Sequence, residues 1–159
     1  MTLAVYRIGK LRYRDQLFTG LGGLYAHSRW VSRGHPVIYT SESISLAVLE
    51  YTVNYRRRGW VPASVLGSAS IPTMVSIEAV KVIDLPRNWA NAEPPSALRE
   101  IGREWLERGA SVALKVPSAV VIEEWNYLLN PQHADFKKLT FGEPRPYAFD
   151  RRLAKSRSG

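Results

Sequence analysis

The stretch Ile44-Ser45-Leu46-Ala47-Val48-Leu49-Glu50-Tyr51-Thr52-Val53 constrains this chain most. It is apolar on most sides, so a helix here is buried rather than laid on the surface. Ser41 reads as its N-cap, the helix runs through Tyr55, and Gly59 and Pro62 bring it to a stop. Ten residues are too few to span a bilayer, so this is a core helix and no membrane partner is expected. It carries one carboxylate. The neighbours of Glu50 one turn away are Leu46, Ala47, Val53 and Asn54. An ionised group in that setting is costly unless a cation or several donors meet it. Glu50 is therefore one of three things: half of a buried salt bridge, a solvent-exposed helix edge, or a functional carboxylate.

A chain of 159 residues that is 45% hydrophobic and 23% charged suits one soluble domain with a single core. Cysteine is absent, which excludes disulfides and thiolate chemistry. The N-terminal Met1-Thr2-Leu3-Ala4-Val5-Tyr6 has no basic or long apolar leader, so a cytoplasmic location is expected. The net charge of +8 favours an anionic partner: a phosphate-bearing substrate, a nucleic acid or an acidic protein segment. Part of the excess lies in Arg56-Arg57-Arg58 and between Arg151 and Arg157, where solvated basic edges are the plainer reading.

Along the chain, Leu3–Ile8 reads as a strand with Val5 and Arg7 on one face. Glycines begin at Gly20-Leu21-Gly22-Gly23 and recur to Gly34, and Val37–Thr40 is a second β run. Met74–Ile77 and Ala79–Leu85 are β-rich, and residues 86–95 form a loop with three prolines. Ser96–Arg108 has Leu98, Ile101, Trp105 and Leu106 at helical spacing, with Gly109 as the stop. Ala110–Val116 alternates as a strand, and Val120–Ile122, Phe136–Phe141 and Tyr147–Phe149 are further candidates. Strands not regularly interleaved with helices predict an α+β domain with a compact mixed sheet.

Several polar residues stand out against that frame. Arg29, downstream of the glycines, suits bidentate recognition of phosphate or carboxylate. Arg7 needs an anionic partner if its strand face is the core. Tyr39 ends a strand just before the helix, where its ring either lines a cleft or packs in the core. Ser118 keeps the parity of Val112, Leu114 and Val116, so its hydroxyl points inward at a strand end. Asn126 and Asn130 flank Tyr127-Leu128-Leu129, and a turn explains the second. His27, His35 and His133 lack metal-ligand spacing, and no metal is expected. No G-x-S-x-G elbow surrounds Ser118, and there is no Walker loop, G-x-G-x-x-G fingerprint or nucleic-acid-binding signature.

Taken in order, these features resemble the RES domain, the toxin half of RES–Xre toxin–antitoxin pairs. The resemblance runs from Tyr6-Arg7-Ile8 to Phe149-Asp150-Arg151-Arg152-Leu153. It is carried by Gly22-Gly23 with Ser28-Arg29-Trp30, Val37-Ile38-Tyr39-Thr40-Ser41 and Leu46-Ala47-Val48-Leu49-Glu50. Downstream it continues through Val116-Pro117-Ser118-Ala119-Val120 and Asn126-Tyr127-Leu128-Leu129-Asn130-Pro131 with His133. Residues 1–153 then form the RES domain and residues 154–159 a basic tail. Ala26-His27 departs from the family's usual small, glycine-rich approach to Ser28.

The resemblance implies a fold like that of ADP-ribosyltransferase toxins, with NAD⁺ as substrate in a central cleft and no other cofactor. It implies cleavage of the nicotinamide–ribose bond by hydrolysis or phosphorolysis, or transfer of ADP-ribose to a protein, and an Xre-like antitoxin as partner. It makes Glu50 the catalytic carboxylate, with Arg29, Tyr39 and Ser118 as its companions. Arg7, Arg29, Tyr39 and Asn126 fall to substrate binding. A basic RNA-targeting toxin and a non-catalytic binding module stay open as other classes; direct nucleic-acid binding is not expected on the first reading.

Overall fold

A computed structural model describes residues 2–56 and 62–154. Arg57, Arg58 and Gly59, and the basic tail beyond Ala154, lie outside the described residues. The fold is α+β, built on one curled mixed sheet. Its strands are β1 (Thr2–Lys10), β2 (Ile38–Ser41), β3 (Ser64–Pro72), β4 (Ile77–Ala79), β5 (Ala113–Pro117), β6 (Trp125–Leu129), β7 (Thr140–Phe141) and β8 (Arg145–Tyr147). The helices are α1 (Ile44–Arg56), α2 (Ala97–Arg108) and the short α3 (Arg151–Ala154). Across the sheet the order is β4-β5-β6-β2-β1-β3-β7, with β8 also pairing with β3. Among the described residues the β4–β5 pair alone is parallel.

Cross-strand register puts both long helices on one face. Tyr6 pairs with Ser41, Ser41 with Asn126, and Asn126 with Val116, so these four side chains share a face. At the β1 end of that row, Tyr6 packs with Ile8, Leu66 and the α1 residues Ala47 and Val48. At the β5 end, Val116 packs with Leu114, Leu128 and the α2 residues Leu98 and Trp105. The row between the helices is polar. The opposite face carries Val5, Ile38, Ala69, Ile71, Ala113 and Leu129, covered by Val75, Leu139 and the partly buried Phe18 and Phe136.

Two glycines let the sheet take its lid. Gly9 on β1 and Gly67 on β3 face Leu17, whose Cδ1 would sit 2.6 Å from a Cβ at Gly9 and whose Cδ2 would collide with one at Gly67. α2 ends as its sequence predicts: Gly109 adopts φ 58° and its N–H bonds to Trp105 O at 3.2 Å.

The structure also departs from the sequence pattern in several places. Ser41 is the last residue of β2, and Ser43 caps α1 instead, its Oγ accepting from Leu46 N at 3.0 Å. β3 is a nine-residue central strand, whereas Met74–Ile77 is mostly a turn and Ala79–Leu85 a loop with a 3₁₀ turn. Residues 120–122 form a turn, and the strand that follows is Trp125–Leu129. Phe136 lies in a 3₁₀ turn, which leaves only Thr140–Phe141 as strand.

Candidate active site

Glu50 sits on α1 where the ends of β2, β5 and β6 converge. Its Oε1 accepts two hydrogen bonds, from Ser118 Oγ at 2.7 Å and from Asn126 Nδ2 at 2.7 Å. Neither donor is charged, and among the described residues no ion pair includes Glu50. Both the buried salt bridge and the plain exposed edge therefore give way to a partly buried carboxylate held by neutral donors. No hydrogen bond reaches Oε2 from the described residues. A carboxylate fixed through one oxygen presents the other to whatever enters.

Each donor is fixed in turn. Ser118 follows β5 and is fully buried, and its Oγ accepts from Val120 N at 3.1 Å and Val121 N at 3.0 Å. With its lone pairs so used, the hydroxyl proton is left for Glu50. This oxygen is thus tied down as a donor rather than exposed as a nucleophile. Asn126 on β6 accepts at Oδ1 from Ser41 Oγ at 2.7 Å, which turns its NH₂ toward Glu50. Ser41 was not singled out as a site residue by its sequence context, although its parity with Tyr39 on β2 is the signal that would have found it.

The arginines occupy different positions. Arg29 Nη1 donates to Trp89 O and Asn91 O, both at 2.8 Å, so it ties its own turn to the proline-rich loop. Partial burial lowers its pKa, and the field of Glu50 opposes that shift, which puts the two charges within electrostatic reach. Arg7 lies deeper. Its Nη1 donates to Tyr39 O at 3.0 Å, while its Nε is buried without a partner among the described residues. Burial lowers its pKa, and the neighbouring phenols Tyr51 and Tyr39 work against that. No carboxylate among the described residues pairs with Arg7, so the anionic partner its position calls for is not supplied by them.

Tyr39 joins the two arginine regions. Its ring packs partly buried beside Trp30, Leu98 and Trp105, and its hydroxyl shares a hydrogen bond with Ser28 Oγ. Burial raises the pKa of this phenol, so it stays protonated; the hydrogen bond to Ser28 is the first influence in the other direction. Ser28 also accepts from Val31 N at 3.2 Å, and Arg99 Nε donates to Ser28 O at 3.1 Å. A Cβ at Gly102 of α2 would collide with Trp30 O, so the 28–31 turn rests directly on that helix. Asn130 is buried and makes a turn, its Oδ1 accepting from Gln132 N at 3.0 Å. His133 caps the next 3₁₀ turn, and among the described residues no three His, Asp or Glu side chains gather as metal ligands would.

Fold and site define a class: an α+β domain that presents a single carboxylate, gripped by neutral donors and within electrostatic reach of Arg29, on the sheet face that two helices cover. The model of the RES domain family matches residues 4–150. A protein from Yersinia enterocolitica named Toxin Res is 37% identical over 152 residues, covering 95% of this chain and 99% of its own length. The Prs ADP-ribosylating toxin of a Sphingobium species is 30% identical over 158 residues, with 96% and 98% covered. The MbcT–MbcA toxin–antitoxin complex of M. tuberculosis contains a chain of similar fold, with TM-score 0.75 at 15% identity, covering 92% of this chain and 85% of that one. The chain belongs to the RES domain family.

Proposed function

We propose that this chain is the toxin of a toxin–antitoxin pair and breaks the nicotinamide–ribose bond of NAD⁺, with Glu50 as the catalytic carboxylate. The observation that carries this reading is the state of Glu50: Oε1 held by Ser118 and Asn126, Oε2 unengaged by the described residues. Cleavage of a C–N glycosidic bond passes through a transition state with oxocarbenium character. The leaving group is neutral nicotinamide expelled from a pyridinium, so no second carboxyl is needed to protonate it. Glu50 Oε2 accepts from the 2′-hydroxyl of the nicotinamide ribose and stabilises the positive charge that develops on that sugar.

Arg29 and Arg7 hold the pyrophosphate or ribose through their guanidinium groups. Tyr39 flanks the nicotinamide ring and, through Ser28, steadies the turn that carries Arg29. Ser118 and Asn126 orient the carboxylate. Water or phosphate receives the ADP-ribosyl group. Transfer to a protein side chain is the second reading, favoured by the name of the Sphingobium relative. An antitoxin, expected to be Xre-like, blocks the site, and the M. tuberculosis complex supports such a partner. The setting is the cytoplasm, where NAD⁺ is abundant.

The test is to incubate purified protein with NAD⁺ and follow nicotinamide release. Glu50→Gln keeps the shape and removes the charge, and is expected to lower the rate about 10²–10³-fold. Near-wild-type turnover by the folded variant sinks the assignment. Free ADP-ribose, ADP-ribose 1-phosphate formed with added phosphate, and label on a protein distinguish the three acceptors.

A further inference from the structure

We propose that Ser41 is a positioning residue for Glu50, acting through Asn126; the inference rests on the reading of Glu50 as the catalytic carboxylate. Ser41 closes β2 and is 4% exposed. Its cross-strand partner in the β2–β6 ladder is Asn126, so the two side chains stand beside each other on the polar row between the helices. Its hydroxyl makes one hydrogen bond among the described residues, to Asn126 Oδ1 at 2.7 Å. A buried hydroxyl proton with a single acceptor leaves no choice of orientation.

The carboxylate, an acceptor only, selects Nδ2, and the Ser41 bond to Oδ1 holds the amide in that rotation. With Oδ1 held by Ser41, Nδ2 faces Oε1 at 2.7 Å. A flipped amide would set Oδ1 against Oε1, two acceptors in contact with no proton between them. The two donors to Glu50 therefore have separate supports. Ser118 is held by the backbone N–H groups of its own turn, Val120 and Val121. Asn126 is held from the neighbouring strand by Ser41. Without Ser41 the amide keeps only its bond to the carboxylate, swings more freely about its side-chain torsion, and holds Oε1 less firmly. Substrate affinity, carried by the arginines, is untouched, while the stabilisation of the transition state weakens.

The experiment compares wild type with Ser41→Ala, Ser41→Thr, Asn126→Ala and the Ser41→Ala/Asn126→Ala pair in NAD⁺ turnover. Alanine fills nearly the same space as serine. Ser41→Ala is expected to lower kcat about tenfold with KM near the wild-type value, as the loss of one neutral hydrogen bond does. Ser41→Thr, which keeps the hydroxyl and suits a strand, restores most of it. In the Asn126→Ala background, Ser41→Ala adds less than about twofold, because the two act as a unit. Multiplying effects, a threonine as poor as alanine, or a change in KM alone would overturn the assignment. The ligand-free ¹⁵N NMR spectrum gives a readout independent of activity: the Asn126 side-chain amide protons shift and lose exchange protection in Ser41→Ala. Unchanged Asn126 amide resonances overturn the role of Ser41, whereas a wild type that releases no nicotinamide overturns only the catalytic reading.

Discussion

α1 and α2 lie on the same face of the same sheet, yet they are built on different terms. α2 has two sides. Leu98, Gly102 and Trp105 enter the core, and its outer face carries charges that neutralise one another, Arg103 lying between Glu100 and Glu107. α1 lacks a polar outer side of that kind. Leu46, Ala47, Val48 and Thr52 are buried, while Leu49 and Val53 remain 37% and 48% exposed. Glu50, its single carboxylate, engages strand ends rather than a neighbouring turn of the helix. The helix that follows the amphipathic rule supports the sheet. The helix that breaks it carries the site.

The contrast can be broken at either helix. Trp105→Ala empties a fully buried ring site on α2 and frees the Ser111 hydroxyl that accepts from Trp105 Nε1 at 3.0 Å. It should cost about 3–5 kcal/mol in chemical denaturation, the largest stability effect expected here. A loss under about 1 kcal/mol would mean that α2 is not the main support. Gly102→Ala sharpens the comparison, because its new methyl group meets Trp30 O. We expect about 1–3 kcal/mol of destabilisation, with weaker NAD⁺ binding as the turn holding Arg29 is pushed away. Intact affinity would separate that turn from the substrate. On α1, Leu49→Gln and Val53→Gln should change stability by no more than about 0.5 kcal/mol each, since both side chains already face outward.

What the sequence disclosed follows the same division. α2 was legible from end to end, because its spacing and its glycine stop are local properties. α1 was legible as a helix, and Glu50 was conspicuous because a lone carboxylate contradicts its surroundings. Its partners were harder to see. Ser41 looked like a cap, and Asn126 drew a substrate-binding role from the resemblance alone, since each acquires its place beside Glu50 only from a strand register linking positions 85 residues apart. β3 was obscured for a different reason. Ser64, Gly67, Ser68 and Ser70 dilute its apolar alternation, and Gly67 is there because Leu17 needs the space. Arg7 was expected to need an anion if its strand face is core, but only the fold shows that the described residues leave its Nε without one.

The sheet order has a consequence in time. β2 lies between β1 and β6, and β6 arrives late in the chain, after both long helices have been made. Until Asn126 has been synthesised and paired, Ser41 has nothing to orient and Glu50 lacks one of its two donors; before Ser118, it lacks both. Contacts this distant in sequence form late in folding. A ribosome-bound or truncated chain of this family that stops short of β6 therefore carries the carboxylate without the grip that aims it. The interval before β6 closes is one in which the carboxylate is present and not yet aimed.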